Sequence, residues 1–250
     1  MFWTKAITNA QTDIKQFKRN FSVFEVPDGE IMLTSVTHIL SSALGYKLSA
    51  ERGTCALGDG RSIPMMSYSL VEYLLGVDLS SFDLLELGAG SSTEFWADCT
   101  RSVLALETDP QWVERLRSRR IANLEARLST GATMAHDITQ LGRKFDVIVI
   151  DCSANRLQVA QHAVHTLNAG GFVILDNSDW FPNAARALRD ADLIQVDFHD
   201  FRPLHHYRCT TSLFMDRGFR PKPKLARLPL VPIGGKDVAD TNLWDTPGLV

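Results

Sequence analysis

The chain has 250 residues, 45% hydrophobic and 22% charged, which is enough for one sizeable soluble core with additions. Its 26 Lys and Arg against 29 Asp and Glu give a formal net charge of -3, which argues against a protein built mainly around a nucleic-acid backbone. No apolar run approaches the roughly 20 residues that cross a bilayer, and residues 1–21 lack the apolar stretch and small-residue cleavage site of a secretory signal. Cys55, Cys99, Cys152 and Cys209 form no Cys-x-x-Cys pair and no zinc spacing, so reduced thiols in a cytoplasmic protein are expected.

In chain order, residues 1–80 predict a helical, irregular N-terminal region that caps the substrate side. Ile7, Ile14, Phe17 and Phe21 recur at near-helical spacing, as do Val36, Ile39, Leu40 and Leu44, and a further helix is expected from Ser67 to Leu75, ending near Gly76. Residues 81–217 alternate apolar β-like runs with helical stretches, the pattern of a parallel sheet covered by helices. The predicted strands are 83–87, 102–106, 123–128, 145–150, 172–175, 193–201 and 210–216. The helices between them are 94–99, 112–120, 156–167 and 184–189. The loop Arg202–Arg208 is too short for a crossover helix, so the last two strands should be antiparallel. Residues 218–250 carry Pro221, Pro223, Pro229, Pro232 and Pro247, and proline there favours an extended tail.

The informative stretch is the first strand and its exit. Asp83-Leu84-Leu85-Glu86-Leu87 runs into Gly88-Ala89-Gly90-Ser91-Ser92-Thr93, and a helix follows without a gap. A strand, a glycine turn and a helix start bring backbone N–H groups and the positive end of a helix dipole to one point. Glycine there is expected to let a ligand approach the backbone closely. The next strand ends in Glu107, twenty-one positions after Glu86, where a doubly wound nucleotide fold places a carboxylate for ribose hydroxyls. A dinucleotide fingerprint would need a third glycine where Thr93 stands.

Glu86-x-Gly88-x-Gly90 resembles motif I of the class I S-adenosylmethionine-dependent methyltransferases, with Ser92 in place of that pattern's third glycine, and Glu107 matches the motif II acid. The resemblance covers about residues 64–216. It implies a Rossmann-like, doubly wound α/β fold: a mostly parallel seven-stranded sheet ending in an antiparallel hairpin, with N-terminal helices. It also implies S-adenosylmethionine bound by Glu86, Gly88, Ala89, Gly90, Ser92, Thr93 and Glu107, with Asp137 toward adenine and Asp151 at the cofactor's edge. The implied activity is O- or N-methylation of a small molecule. The Asp/Asn-Pro-Pro-aromatic motif of base-amine methyltransferases is absent, since the corresponding place reads Asp151-Cys152-Ser153-Ala154, so a nucleic-acid acceptor is not expected. A methyltransferase-like nucleoside-binding or partner protein without turnover is the alternative.

Two readings of the acceptor side stay open. Asp151, Asp176 and Asn177 occupy the places where cation-dependent catechol-type O-methyltransferases hold Mg²⁺. The family's general-base lysine is replaced by Ala154, however, and Asp176-Asn177 could instead cap the next helix. Alternatively a histidine of the His199, His205 and His206 group, His205 foremost, takes the acceptor's proton. Trp180 and the loop Pro203–Arg208 are candidate walls of the acceptor site, Trp180 being either a wall or a core residue.

Overall fold

The computed structural model describes residues 29–130, 132–153 and 155–237. The chain divides into two compact units, Met1–His38 and Ile39–Val250. Within the first, Gly29–His38 forms helix α1, with Leu33 and Val36 exposed; the apolar spacing of residues 7–21 lies outside the described residues, as does the end of the tail beyond residue 237.

The second unit opens with a π-helical turn, Ile39–Ala43, and helices α2 (Tyr46–Arg52) and α3 (Tyr68–Gly76). A seven-stranded sheet follows: β1 (Asp83–Leu87), β2 (Ser102–Glu107), β3 (Leu124–Leu128), β4 (Phe145–Ile150), β5 (Leu167–Leu175), β6 (Ile194–Asp200) and β7 (Cys209–Met215). Its order is β3-β2-β1-β4-β5-β7-β6, and β7 runs antiparallel to both its neighbours while the other pairs are parallel. The expected closing hairpin is present. Helices α4 (Ser92–Cys99), α5 (Pro110–Ser118), α6 (Met134–Thr139), α7 (Arg156–Ala163) and α8 (Pro182–Asp190) cover the sheet.

Both faces are dry because alternate strand residues point to opposite sides. Leu84, Val103, Val147, Val149, Phe172 and Ile174 pack with α3, α4 and α5, where Tyr68, Leu70, Trp96 and Val113 meet them. Leu85, Leu104, Ile148, Ile150, Val173 and Phe214 pack on the other face with α6, α7 and α8. Two expectations shift. β5 starts at Leu167, not Phe172, because Gly170 (φ +77°) and Gly171 carry the chain through a register break opposite Phe145 and Val147 instead of turning it. The helix from Arg156 ends at Ala163 and tightens into a 3-10 turn, Val164–Thr166.

The described part of the tail is extended. Pro223 bridges Val77, Lys224 N–H donates to the Gly76 carbonyl at 2.8 Å, and Ile233 N–H donates to Glu72 at 2.5 Å, which lays the strand of prolines along α3. Among the described residues no helix is long and apolar enough to cross a membrane. Cys55, Cys99, Cys152 and Cys209 are all unpaired thiols.

Candidate active site

Register brings four strand ends level. Leu87 pairs Leu106 and Ile150, and Ile150 pairs Leu175, so Gly88, Glu107, Asp151 and Asp176 emerge along one edge of the sheet. A cavity of about 260 Å³ opens there, lined by Gly88, Ala89, Gly90, Ser91 and Ser92 from the β1 exit, by Glu107, Thr108 and Trp112, and by Met65, Met134, Asp151, Cys152 and Ser153.

The glycine turn is held from inside. Glu86 is fully buried and does not reach the cavity. Its carboxyl accepts Ser92 Oγ and Thr93 Oγ1, each at 2.6 Å, while Thr93 Oγ1 accepts the Gly90 N–H at 3.1 Å. Burial pushes Glu86 up to about 8, countered in part by those two hydroxyls. Ser92 and Thr93, which replace glycine in the sequence pattern, are therefore the groups that satisfy Glu86 and fold the loop over it.

Gly88 and Gly90 do different things. Gly88 sits at φ +95°, and a Cβ there would meet the Asp151 carbonyl carbon and the Cys152 nitrogen at 2.6 Å. The close approach that needs this glycine is made by the β4 exit, not by a ligand as the sequence suggests. At Gly90 a Cβ would meet nothing within 4 Å, so Gly90 keeps the cavity open.

Glu107 faces the cavity with one oxygen tied down. Oε1 accepts Thr108 N–H at 2.7 Å and Asp109 N–H at 2.8 Å, and Thr108 Oγ1 at 3.1 Å, whereas Oε2 takes no hydrogen bond among the described residues. Two backbone donors hold a buried carboxylate in place while its second oxygen stays available. Asp109 then caps α5 by accepting Gln111 N–H at 2.8 Å, with Pro110 in the first turn. That start sets Trp112 against the cavity. Sequence reading missed Trp112, although the Asp109-Pro110 start directly after Glu107 is the signal that would have found it.

Asp137 lies away from this cavity, where it is bonded to Ser129 Oγ and to Thr133 Oγ1 at 3.1 Å. Asp151 lines the cavity with its side chain 26% exposed and pairs with Arg156 Nη2 at 2.9 Å. Crowding raises its pKa, reinforced by the nearby Asp176 charge and opposed by Arg156. His205 sits in the β6–β7 loop, its ring 5.1 Å from that of Tyr207 and its carbonyl accepting Tyr46 Oη at 2.7 Å. Partial burial, then Arg202 and His206, lower its pKa and favour the neutral imidazole. Trp180 is 55% exposed and stacks against Tyr207 at 6.3 Å, so it is not a core residue.

The metal expectation is overturned by what surrounds the three oxygens. Asp176 accepts Arg202 Nη1 at 3.1 Å and Thr211 Oγ1 at 2.7 Å, and its carbonyl accepts Arg156 Nη1. With its amide oriented to satisfy both neighbours, Asn177 donates to Asp176 at 2.7 Å and accepts Arg202 Nη1 at 3.1 Å. Two guanidinium groups thus neutralise Asp151 and Asp176, and a divalent cation there would face two fixed positive charges. Asp151, Asp176 and Asn177 do not fit Mg²⁺, and no group of three or more His, Cys, Asp or Glu among the described residues could hold a metal.

Comparison with solved structures finds this architecture elsewhere. The precorrin-6y C5,15-methyltransferase of Geobacter metallireducens GS-15 is similar over 60% of this chain and 87% of its own, with a TM-score of 0.50 and 14% identity. The chain has the fold of a methyltransferase. The N-methyltransferase NodS of Bradyrhizobium japonicum WM9 matches over 59% of this chain and 91% of its own (TM-score 0.45, 18% identity). Aeropyrum pernix fibrillarin, solved with natively bound S-adenosyl-L-methionine, matches over 59% of this chain and 74% of its own (TM-score 0.48, 16% identity). No protein-family model and no curated protein matches the chain.

Proposed function

We propose that the chain transfers a methyl group from S-adenosylmethionine to the oxygen or nitrogen of a small molecule. The observation that carries this reading is Glu107, a carboxylate fixed by two backbone N–H groups with its second oxygen free in a cavity that Gly90 holds open. A cis-diol can donate to that oxygen, and Trp112 and Met134 supply apolar walls for a flat ring nearby.

When bound, the cofactor supplies an electrophilic methyl on a sulfonium. The chain's part is to place the acceptor's lone pair in line with it and to receive the acceptor's proton. Asp151 suits the second task, because its raised pKa lies closer to neutrality than that of an ordinary aspartate and Arg156 fixes its orientation. His205, kept neutral, is a second proton acceptor if the substrate enters along the Pro203–Arg208 loop. The net charge of -3 and the absence of a Pro-Pro motif after Asp151 support a small acceptor over a nucleic acid.

Isothermal titration tests the reading. S-adenosylmethionine and S-adenosylhomocysteine should bind and NAD should not. Glu107→Gln keeps one acceptor oxygen but loses the charge, so affinity should fall about tenfold, the equivalent of one charge-assisted hydrogen bond of roughly 1.5–3 kcal/mol. Binding of NAD, or unchanged affinity in Glu107→Gln, would refute it.

A further inference from the structure

Beside the cofactor cavity lies a group of buried donors that the reading above does not use. Tyr68 N–H donates to the Phe201 carbonyl at 3.0 Å, and Ser67 N–H donates to Thr211 Oγ1 at 3.3 Å. Thr211 Oγ1 in turn donates to Asp176, the partner of Arg202. Ser67, Tyr68 and Arg202 are thereby tied to one side of the Asp176 carboxylate. Met65, two residues before Ser67, and Ser91, which lies beside the Cys55 thiol, are walls of the cofactor cavity. Cys55 is close enough to both Arg202 and Tyr68 to feel their charge, which puts the three side chains around one place.

Ser67 Oγ, Tyr68 Oη and Arg202 Nε are all excluded from solvent and have no hydrogen-bond partner. Ser49, beside Tyr68, has its own hydroxyl engaged with the Ala56 carbonyl and N–H, both at 3.0 Å. Buried polar atoms are rarely left unpaired, and three in one neighbourhood point to a missing partner. All three can donate, and the guanidinium can only donate. Arg202 spends Nη1 on Asp176 and Asn177, which leaves the side-on edge carrying Nε, the edge that grips a carboxylate with two parallel hydrogen bonds. Arg156 and Arg202 already balance Asp151 and Asp176, so the array presents no uncompensated negative charge to an incoming anion.

We infer that the methyl acceptor carries a carboxylate, held by the Nε edge of Arg202 together with the hydroxyls of Tyr68 and Ser67. This inference rests on the methyltransferase reading and narrows its substrate class to carboxylic acids. Arg202 and Tyr68 are then specificity-determining residues: they hold the acceptor by its acid group and leave the atom to be methylated near Asp151.

Thermal unfolding with saturating S-adenosylhomocysteine tests it, with benzoate, benzamide and inorganic phosphate as probes. A ligand that binds only the folded chain raises its Tm with concentration. Benzoate should stabilise the parent and benzamide should not. Tyr68→Phe keeps the ring and removes only the unpartnered hydroxyl, so its Tm and its affinity for S-adenosylhomocysteine should match the parent's while benzoate binds about tenfold more weakly. Arg202→Lys should lose the benzoate response too; if it does not fold, Tyr68→Phe carries the test. Equal shifts with benzoate and benzamide, no shift with benzoate, a shift with phosphate alone, or an undiminished benzoate response in Tyr68→Phe would each overturn the inference. Failure of the parent to bind S-adenosylhomocysteine would instead refute the methyltransferase reading, whatever benzoate does.

Discussion

Gly88 and Gly90 stand two residues apart in one turn, yet substitution should separate folding from binding. Gly88→Ala places a Cβ 2.6 Å from the Asp151 carbonyl carbon and the Cys152 nitrogen, backbone atoms that cannot rotate away, at a φ of +95°. The left-handed backbone costs roughly 1–2 kcal/mol for a residue with a Cβ, and overpacking adds typically about 1–3 kcal/mol. A combined loss of about 2–5 kcal/mol lowers the Tm of a chain this size by roughly 4–20 °C. Gly90→Val meets no protein atom within 4 Å at its Cβ and needs no unusual φ, so its Tm should stay near the parent's. Its branched side chain would instead stand in the 260 Å³ cavity and abolish S-adenosylmethionine binding. Differential scanning calorimetry and titration of both variants give the answer. A Gly90→Val chain that binds the cofactor like the parent would refute the cavity as its site. A Gly88→Ala chain as stable as the parent would refute the backbone contact as the reason for glycine.

Two further outcomes are expected. Because burial raises Glu86 from an ordinary 4.5 to about 8, the folded chain binds a proton that the unfolded chain releases; stability from this group is full below 4.5 and is lost as pH rises toward 8. Urea midpoints should fall over that window more steeply for the parent than for Glu86→Gln, and parallel profiles would show that Glu86 is ionised in the fold. Trp180→Ala removes a ring that is 55% exposed, so Tm and S-adenosylhomocysteine affinity should hold; a loss approaching the roughly 3–5 kcal/mol of a core tryptophan would refute its surface placement.

Much of the fold is legible because its signals are local. Each buried strand is a short apolar run, as in Phe145-Asp146-Val147-Ile148-Val149-Ile150, and the seven-residue connection after Phe201 forces an antiparallel return. Where signals conflict, tertiary contacts decide. Asn168-Ala169-Gly170-Gly171 reads as a turn, but it is strand, because the glycines let β5 bulge past β4 and keep its pairing. Helix α6 is six residues long and carries one acid and one histidine, too short for apolar spacing to announce it.

The site shows the same division more sharply. Four acids at or just beyond strand ends, Glu86, Glu107, Asp151 and Asp176, look alike in the sequence, and each acquires its role from a partner that the sequence places elsewhere. Glu86 meets hydroxyls six and seven residues on, and is turned into the core. Glu107 meets the N–H groups of the next two residues, so its free oxygen stays at the cavity. Asp151 meets Arg156 across the start of α7 and remains partly exposed. Asp176 meets Arg202, which arrives 26 residues later from the far end of β6, and is sealed from solvent. An acid beyond a strand end can serve a cation, a diol, a proton or a guanidinium. The choice follows from which group packs against it, and for Asp176 a long-range pairing with an arginine replaces the metal that the local pattern suggests.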